Sequence, residues 1–260
     1  MMAGLIKSIK KGVPNFFTML NLFTGCIAIL LTFYDPALAG LLILLAGVFD
    51  FVDGLAARLL DAYSDFGREL DSLADIVSFG VAPSFILFNL FKMSFILKNP
   101  GFSLELSTVH ELLILASSFL PALFAGARLA KFNMSVNKDL VFSGLPSPAA
   151  GIFIASLGYI LFTTDTLWIR QAVTNTGLLL AVNITLSVLM VLPLPMFNIK
   201  FRNLRLSENR IRYLFVLPSM VFLVYWGLKS IPLIIVYYIL ISVSEHLVFL
   251  VKKRRNKITG

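Results

Sequence analysis

Residues 50–75 read DFVDGLAARLLDAYSDFGRELDSLAD and hold seven of the chain's 14 acidic residues. Asp61, Asp65 and Glu69 fall in or beside a connecting loop. Asp50, Asp53, Asp71 and Asp75 instead interrupt two apolar stretches, 38–60 and 70–97, each long enough to cross a bilayer at roughly 20 residues per span. An aspartate carried to mid-membrane costs roughly 2.5–3.5 kcal/mol, so four cost about 10–14 kcal/mol, an upper bound for groups near a span end. Something at that site must offset the cost.

The rest of the chain agrees that the bilayer is its solvent. Of 260 residues, 58% are hydrophobic and 14% charged, too apolar for a soluble domain. Six further apolar stretches, near 14–34, 111–132, 146–165, 173–194, 211–228 and 231–251, predict an all-α, polytopic transmembrane helical bundle of about eight spans. The last two are the least separated, with Pro232 and a short turn between them. With an even count both termini share one side, and that side then holds 18 of the 22 Lys and Arg residues. The excess of positive charge assigns both termini, and the aspartate loop with them, to the cytoplasm. Basic loops facing an anionic leaflet account for the net charge of +8 without any nucleic acid.

Smaller signals read simply. The apolar run before the first lysines is too short for a secretory signal, so residues 1–13 are expected to be an interfacial segment. A lone Cys26 forms no intramolecular disulfide and is expected to pack inside the first span. His110 and His246, Trp168 and Trp226 fall near span ends, as interfacial residues do.

Spacings of three and four residues put Asp50 with Asp53, and Asp71 with Asp75, each pair on one helix face. At 1.5 Å per residue Asp53 lies about 12 Å above the loop and Asp71 to Asp75 about 6–12 Å, so the pairs meet at one depth. Converging carboxylates repel unless they are protonated, paired with cations or bound to metal. Oxygen-only ligands suit Mg²⁺, Mn²⁺ or Ca²⁺, and two such ions could clamp a phosphoryl group. Ion pairs with Arg58 and Arg68, or an ion-conduction path, are the competing readings. Gly54, Ala56, Ala57, Gly67, Ala74 and Gly80 leave room for a ligand or a neighbouring helix, and Arg58 is placed to meet a phosphate.

Asp50, Asp53, Gly54, Ala57, Arg58, Gly67, Asp71 and Asp75 at these intervals resemble the DxxDGxxAR…GxxxDxxxD signature of the CDP-alcohol phosphotransferases. The resemblance implies a six-helix catalytic core over 14–197, with 198–260 as two additional spans and a basic tail. It implies that Asp50, Asp53, Asp71 and Asp75 bind two metal ions, usually Mg²⁺ or Mn²⁺, with Asp75 as the base. It also implies that Gly54, Ala57, Arg58 and Gly67, with Asn15 and Thr18, line the CDP pocket, and that the protein is a homodimer.

Segments outside the signature resemble phosphatidylserine synthases: Pro14–Asn15 with Thr18 and Asn21, Ser78 to Pro83, Ala127 to Asn133, and Gly144 to Ala150. The expected substrates are then CDP-diacylglycerol and L-serine. Serine carries a carboxylate, which Arg128 and Lys131, on one face of a span end, could hold, with Asn133 and Ser78 as polar partners. Glycerol 3-phosphate or an inositol phosphate is the alternative acceptor, and a phosphorylated one would want more positive charge. A divalent-cation transporter is the alternative from another class, although spans two and three are nearly uniformly apolar beyond the aspartates.

Overall fold

The computed structural model describes residues 2–106, 108–134, 144–197 and 209–258. The expected boundary between core and C-terminal spans, and Lys138, Lys200, Arg202 and Arg205 from the orientation count, touch or lie outside that set. The described residues form helices: α1 (Met2–Leu31), α2 (Pro36–Leu59), α3 (Asp65–Asp75), α4 (Ala82–Lys98), α5 (Val109–Ser117), α6 (Leu120–Met134), α7 (Ser147–Thr163), α8 (Leu167–Val173), α9 (Thr176–Val191), α10 (Arg210–Trp226) and α11 (Ile231–Ile258). α1 runs unbroken through the boundary expected at residue 13 and leaves Cys26, expected to pack inside it, exposed on its outer face.

An all-α, polytopic membrane bundle is what the sequence predicted. Five helical stretches are long and apolar enough to cross a membrane, or six if the bent pair α8 and α9 is one span. The eight expected spans are not all met by length. At 17 residues α7 is only about 25 Å long against a hydrocarbon core of about 30 Å, and it is shielded by its neighbours rather than by lipid. Residues 210–247 pass as one long stretch, yet Gly227 has a positive φ of 56° and the chain turns back there. The Tyr237 hydroxyl donates to the Leu214 carbonyl at 2.8 Å, and Phe222 meets Tyr237 edge to face, so α10 and α11 form a hairpin.

Each span divides its residues between protein and lipid. On α2, Val48, Phe51, Leu55 and Leu59 are exposed, whereas Ala39, Ile43 and Ala46 are buried. Asp50 and Asp53 continue that inward stripe at helical spacing. The α2–α3 connection is short. Asp61, in the left-handed region at φ 48°, ends α2, and Ser64 caps α3 by accepting from the Gly67 amide. The turn folds the two aspartate-bearing faces together.

α3 and α4 are joined by a π-helical turn, Ile76–Val81, inside one 34-residue span. Pro83 sits at the start of α4 and has no amide to donate, a local reason for the ladder to widen just before it. The turn packs against α1, α6 and α7. A Cβ on Gly151 of α7 would lie 2.7 Å from the Phe79 carbonyl oxygen, and one on Gly80 would lie 3.2 Å from Ala122 Cα of α6. Small residues let backbones approach where lipid supplies no hydrophobic drive. The core around this hub includes Phe79, Ile86, Leu87, Leu90, Phe91 and Ile154.

Candidate active site

Asp50, Asp53 and Asp71 each offer a carboxylate oxygen, and these oxygens all lie within 4.8 Å of one another. Asp75 is one turn beyond Asp71 on the same face of α3 and is buried. The spacing predicted that the two helices would bring their aspartates together, and Asp50, Asp53 and Asp71 do meet.

α1 supplies the donors that orient them. The Thr18 hydroxyl lies 2.7 Å from Asp53 Oδ2 and 3.1 Å from the Pro14 carbonyl. It has one proton, and the shorter, charge-assisted contact takes it. Asn21 Nδ2 donates to Asp75 Oδ1 at 3.3 Å. Both residues are buried, and they sit one turn apart on the face of α1 toward α2 and α3.

What the carboxylates lack, among the described residues, is a cation in direct contact. Among the described residues no Lys or Arg side chain comes within 4.0 Å of any of the four; Arg68 instead meets Asp65 at 3.4 Å and Glu69 at 3.7 Å. Asp71 Oδ1 is buried with no donor. An orphaned buried acceptor costs about 1–3 kcal/mol, more for a charged one. The pairing with Arg58 and Arg68 weighed from the sequence is therefore not what the structure holds. An all-oxygen, uncompensated set fits a hard divalent cation, and Asp50, Asp53, Asp71 and Asp75 are the residues that would hold it.

The residues expected to line the nucleotide pocket lie on α1, α2 and α3, the helices that carry or orient the aspartates. A Cβ on Gly54 would meet nothing within 4 Å, so the glycine opens onto free space beside Asp53. Ala57 is half-buried and Arg58 exposed on the last turn of α2. Gly67 faces Asn15, whose Oδ1 would be 2.9 Å from a Cβ there.

The four residues expected at the acceptor are distributed differently. Arg128 of α6 interacts electrostatically with Asp75, its Nη1 donates to the Ser147 hydroxyl at 3.3 Å, and its Nε is buried without a partner. Lys131 is exposed. Asn133 Nδ2 donates to Glu69 Oε2 at 3.1 Å and to Ser72 Oγ at 3.2 Å, on a face of α3 adjoining the one that bears Asp71 and Asp75. Ser78 is fully buried and donates to the Asn21 carbonyl at 2.9 Å, tying α1 to the π-helical turn. Two contributors, Asn21 and Ser147, were not expected at the site by name. Each was visible as a polar residue within a quoted segment, but only the fold shows what it touches.

The sequence profile of the CDP-alcohol phosphatidyltransferase family matches residues 11–192, and the chain belongs to that family of membrane phosphotransferases. It is 37% identical over 149 residues, 56% of the chain, to a CDP-diacylglycerol–serine O-phosphatidyltransferase of Methanocaldococcus jannaschii, of whose length it spans 61%. The protein of the same name from Bacillus subtilis is 36% identical over 148 residues, 56% of this chain and 75% of its own length. That from Helicobacter pylori is 30% identical over 239 residues, 80% of this chain and 94% of its own.

Proposed function

We propose that this chain transfers the phosphatidyl group of CDP-diacylglycerol to L-serine, releasing CMP, at a site facing the cytoplasm. The observation that carries the reading is the cluster of Asp50, Asp53 and Asp71, with Asp75 buried one turn along α3 and no Lys or Arg side chain within 4.0 Å of any of them among the described residues. The names of the relatives support serine as the acceptor.

Divalent cations, Mg²⁺ or Mn²⁺ and as many as two, would supply charge neutralisation at the transferred phosphoryl group when bound. The chain's own residues do the rest. Gly54 leaves space for the pyrophosphate beside Asp53, and Arg58 meets its negative charge from the loop. Arg128 holds the serine carboxylate. Asn21 fixes the Asp75 carboxylate through one oxygen and leaves the other to take the proton of the serine hydroxyl. A free serine hydroxyl is a weak nucleophile, so that base is required. The serine oxygen bonds to the phosphorus carrying diacylglycerol, the bond to the CMP oxygen breaks, and CMP leaves with the electron pair. Most of the work is positioning and electrostatics, as in phosphoryl transfer generally.

The test is CMP release by purified protein with CDP-diacylglycerol and Mn²⁺ or Mg²⁺, comparing L-serine, glycerol 3-phosphate, inositol and inositol phosphate. Serine-dependent release is expected. Turnover only with another acceptor would overturn the serine assignment, and metal uptake by proteoliposomes without lipid turnover would favour transport. In the same assay Asp75→Asn should lower kcat by about 10²–10⁴, the usual contribution of a general base; full activity would remove Asp75 from that role.

A further inference from the structure

The hairpin α10–α11 lies outside the segment that matches the family profile, yet it is connected to the acceptor side of the site. Ser147, which accepts from Arg128, opens α7 directly after Gly144 and Leu145. Their amides donate to the carbonyls of Leu194 at 2.7 Å and Leu189 at 2.8 Å, so the entry to α7 is sewn to the end of α9 and the strap that follows it. Gly144 has a φ of +89°, and a Cβ there would lie 3.0 Å from the Leu189 carbonyl. The stitching therefore depends on a glycine.

The far end of that strap is held by α11. The Tyr238 hydroxyl donates to the Phe197 carbonyl at 3.2 Å. Its ring packs on Phe197 at 4.9 Å and on Phe215 of α10 at 5.7 Å. Tyr238 is buried, and α11 packs along α7. One continuous path thus runs from Tyr238 through Phe197, Leu194, Gly144 and Ser147 to the Arg128 guanidinium.

We infer that Tyr238 is a positioning residue for Arg128, and that the C-terminal hairpin sets acceptor affinity by clamping the strap that fixes Ser147. This rests on the reading of Arg128 as the carboxylate anchor. A guanidinium recognises a carboxylate through a fork of fixed geometry. A strap that slips would degrade acceptor binding while leaving the aspartate ring, built from other helices, intact.

The experiment compares Tyr238→Phe, Tyr237→Phe and Arg128→Lys in full-length protein, measuring KM for serine, KM for CDP-diacylglycerol and kcat. Tyr237 is the internal control, because its hydroxyl bonds within the hairpin to Leu214. Tyr238→Phe keeps the ring and removes the bond to the strap. It is expected to raise the serine KM three- to tenfold, with the other two constants within twofold and Tyr237→Phe unaltered. If Arg128→Lys raises the serine KM and Tyr238→Phe does not, the positioning role is overturned while the anchor stands. If the two tyrosine variants shift every constant alike, the hairpin acts by general stability and the inference fails. If Arg128→Lys leaves the serine KM unchanged while serine still drives CMP release, the anchor is wrong and the inference falls with it.

Discussion

Asp53 and Asp75 each receive one hydrogen bond from α1, and those two bonds are where single substitutions should speak most clearly. Groups that orient metal-binding carboxylates typically cost about 10–100-fold in metal affinity or activity when removed. Thr18→Val, which keeps the volume and deletes the donor, is expected to raise the Mn²⁺ concentration for half-maximal activity about tenfold. An Mn²⁺ titration of CMP release measures it, and an unchanged midpoint would mean the hydroxyl serves only the Pro14 carbonyl. Asn21→Leu should raise that midpoint and also lower kcat, because its partner Asp75 is proposed both as a metal ligand and as the base. These two roles were only half legible beforehand. Thr18 and Asn21 stand out as polar residues in an apolar span, but which carboxylate each serves depends on how α1 crosses α2 and α3.

Two glycines make the contrast at the scale of elements. Gly151 brings α7 against the π-helical turn, and a Cβ there would press on the Phe79 backbone at 2.7 and 2.8 Å. Gly151→Ala is expected to destabilise by about 1–3 kcal/mol, the cost of overpacking a close contact, read as a lowered Tm in detergent. Gly54 has open space instead, so Gly54→Ala should keep its Tm and lose activity by intruding on the substrate. If the two variants behaved alike, the assignment of one glycine to packing and the other to the pocket would be wrong. The aspartate pairs, their facing and their depth followed from spacings of three and four residues, because helical periodicity is local. The π-helical turn did not, since it depends on Pro83 together with three packed neighbours. Nor did the partners of Asn133 and Ser78, which lie on α3 and α1 far along the sequence.

For the molecule as a whole, the proposed orientation has a direct consequence. Tyr63, in the loop beside the aspartates, and Asn99, at the far end of the long α3–α4 span, are both exposed. In a Cys26→Ser background, Tyr63→Cys should resist a membrane-impermeant thiol reagent added to intact cells, and Asn99→Cys should react. The reverse pattern would place the carboxylates outside. A homodimer, which the family resemblance implies, is part of the same proposal and is checked by the mass of the protein in a nanodisc. Among the described residues, the aspartates and the α1 side chains that hydrogen-bond to them, from Thr18 to Asp75, belong to the first three spans. A growing polypeptide therefore delivers them to the bilayer in succession, and the wall bearing Arg128 and Ser147 arrives later. Four carboxylates then enter the membrane before most of their shielding has been synthesised, and if divalent cations hold them as proposed, the supply of those cations would bear on the birth of this protein as well as on its turnover.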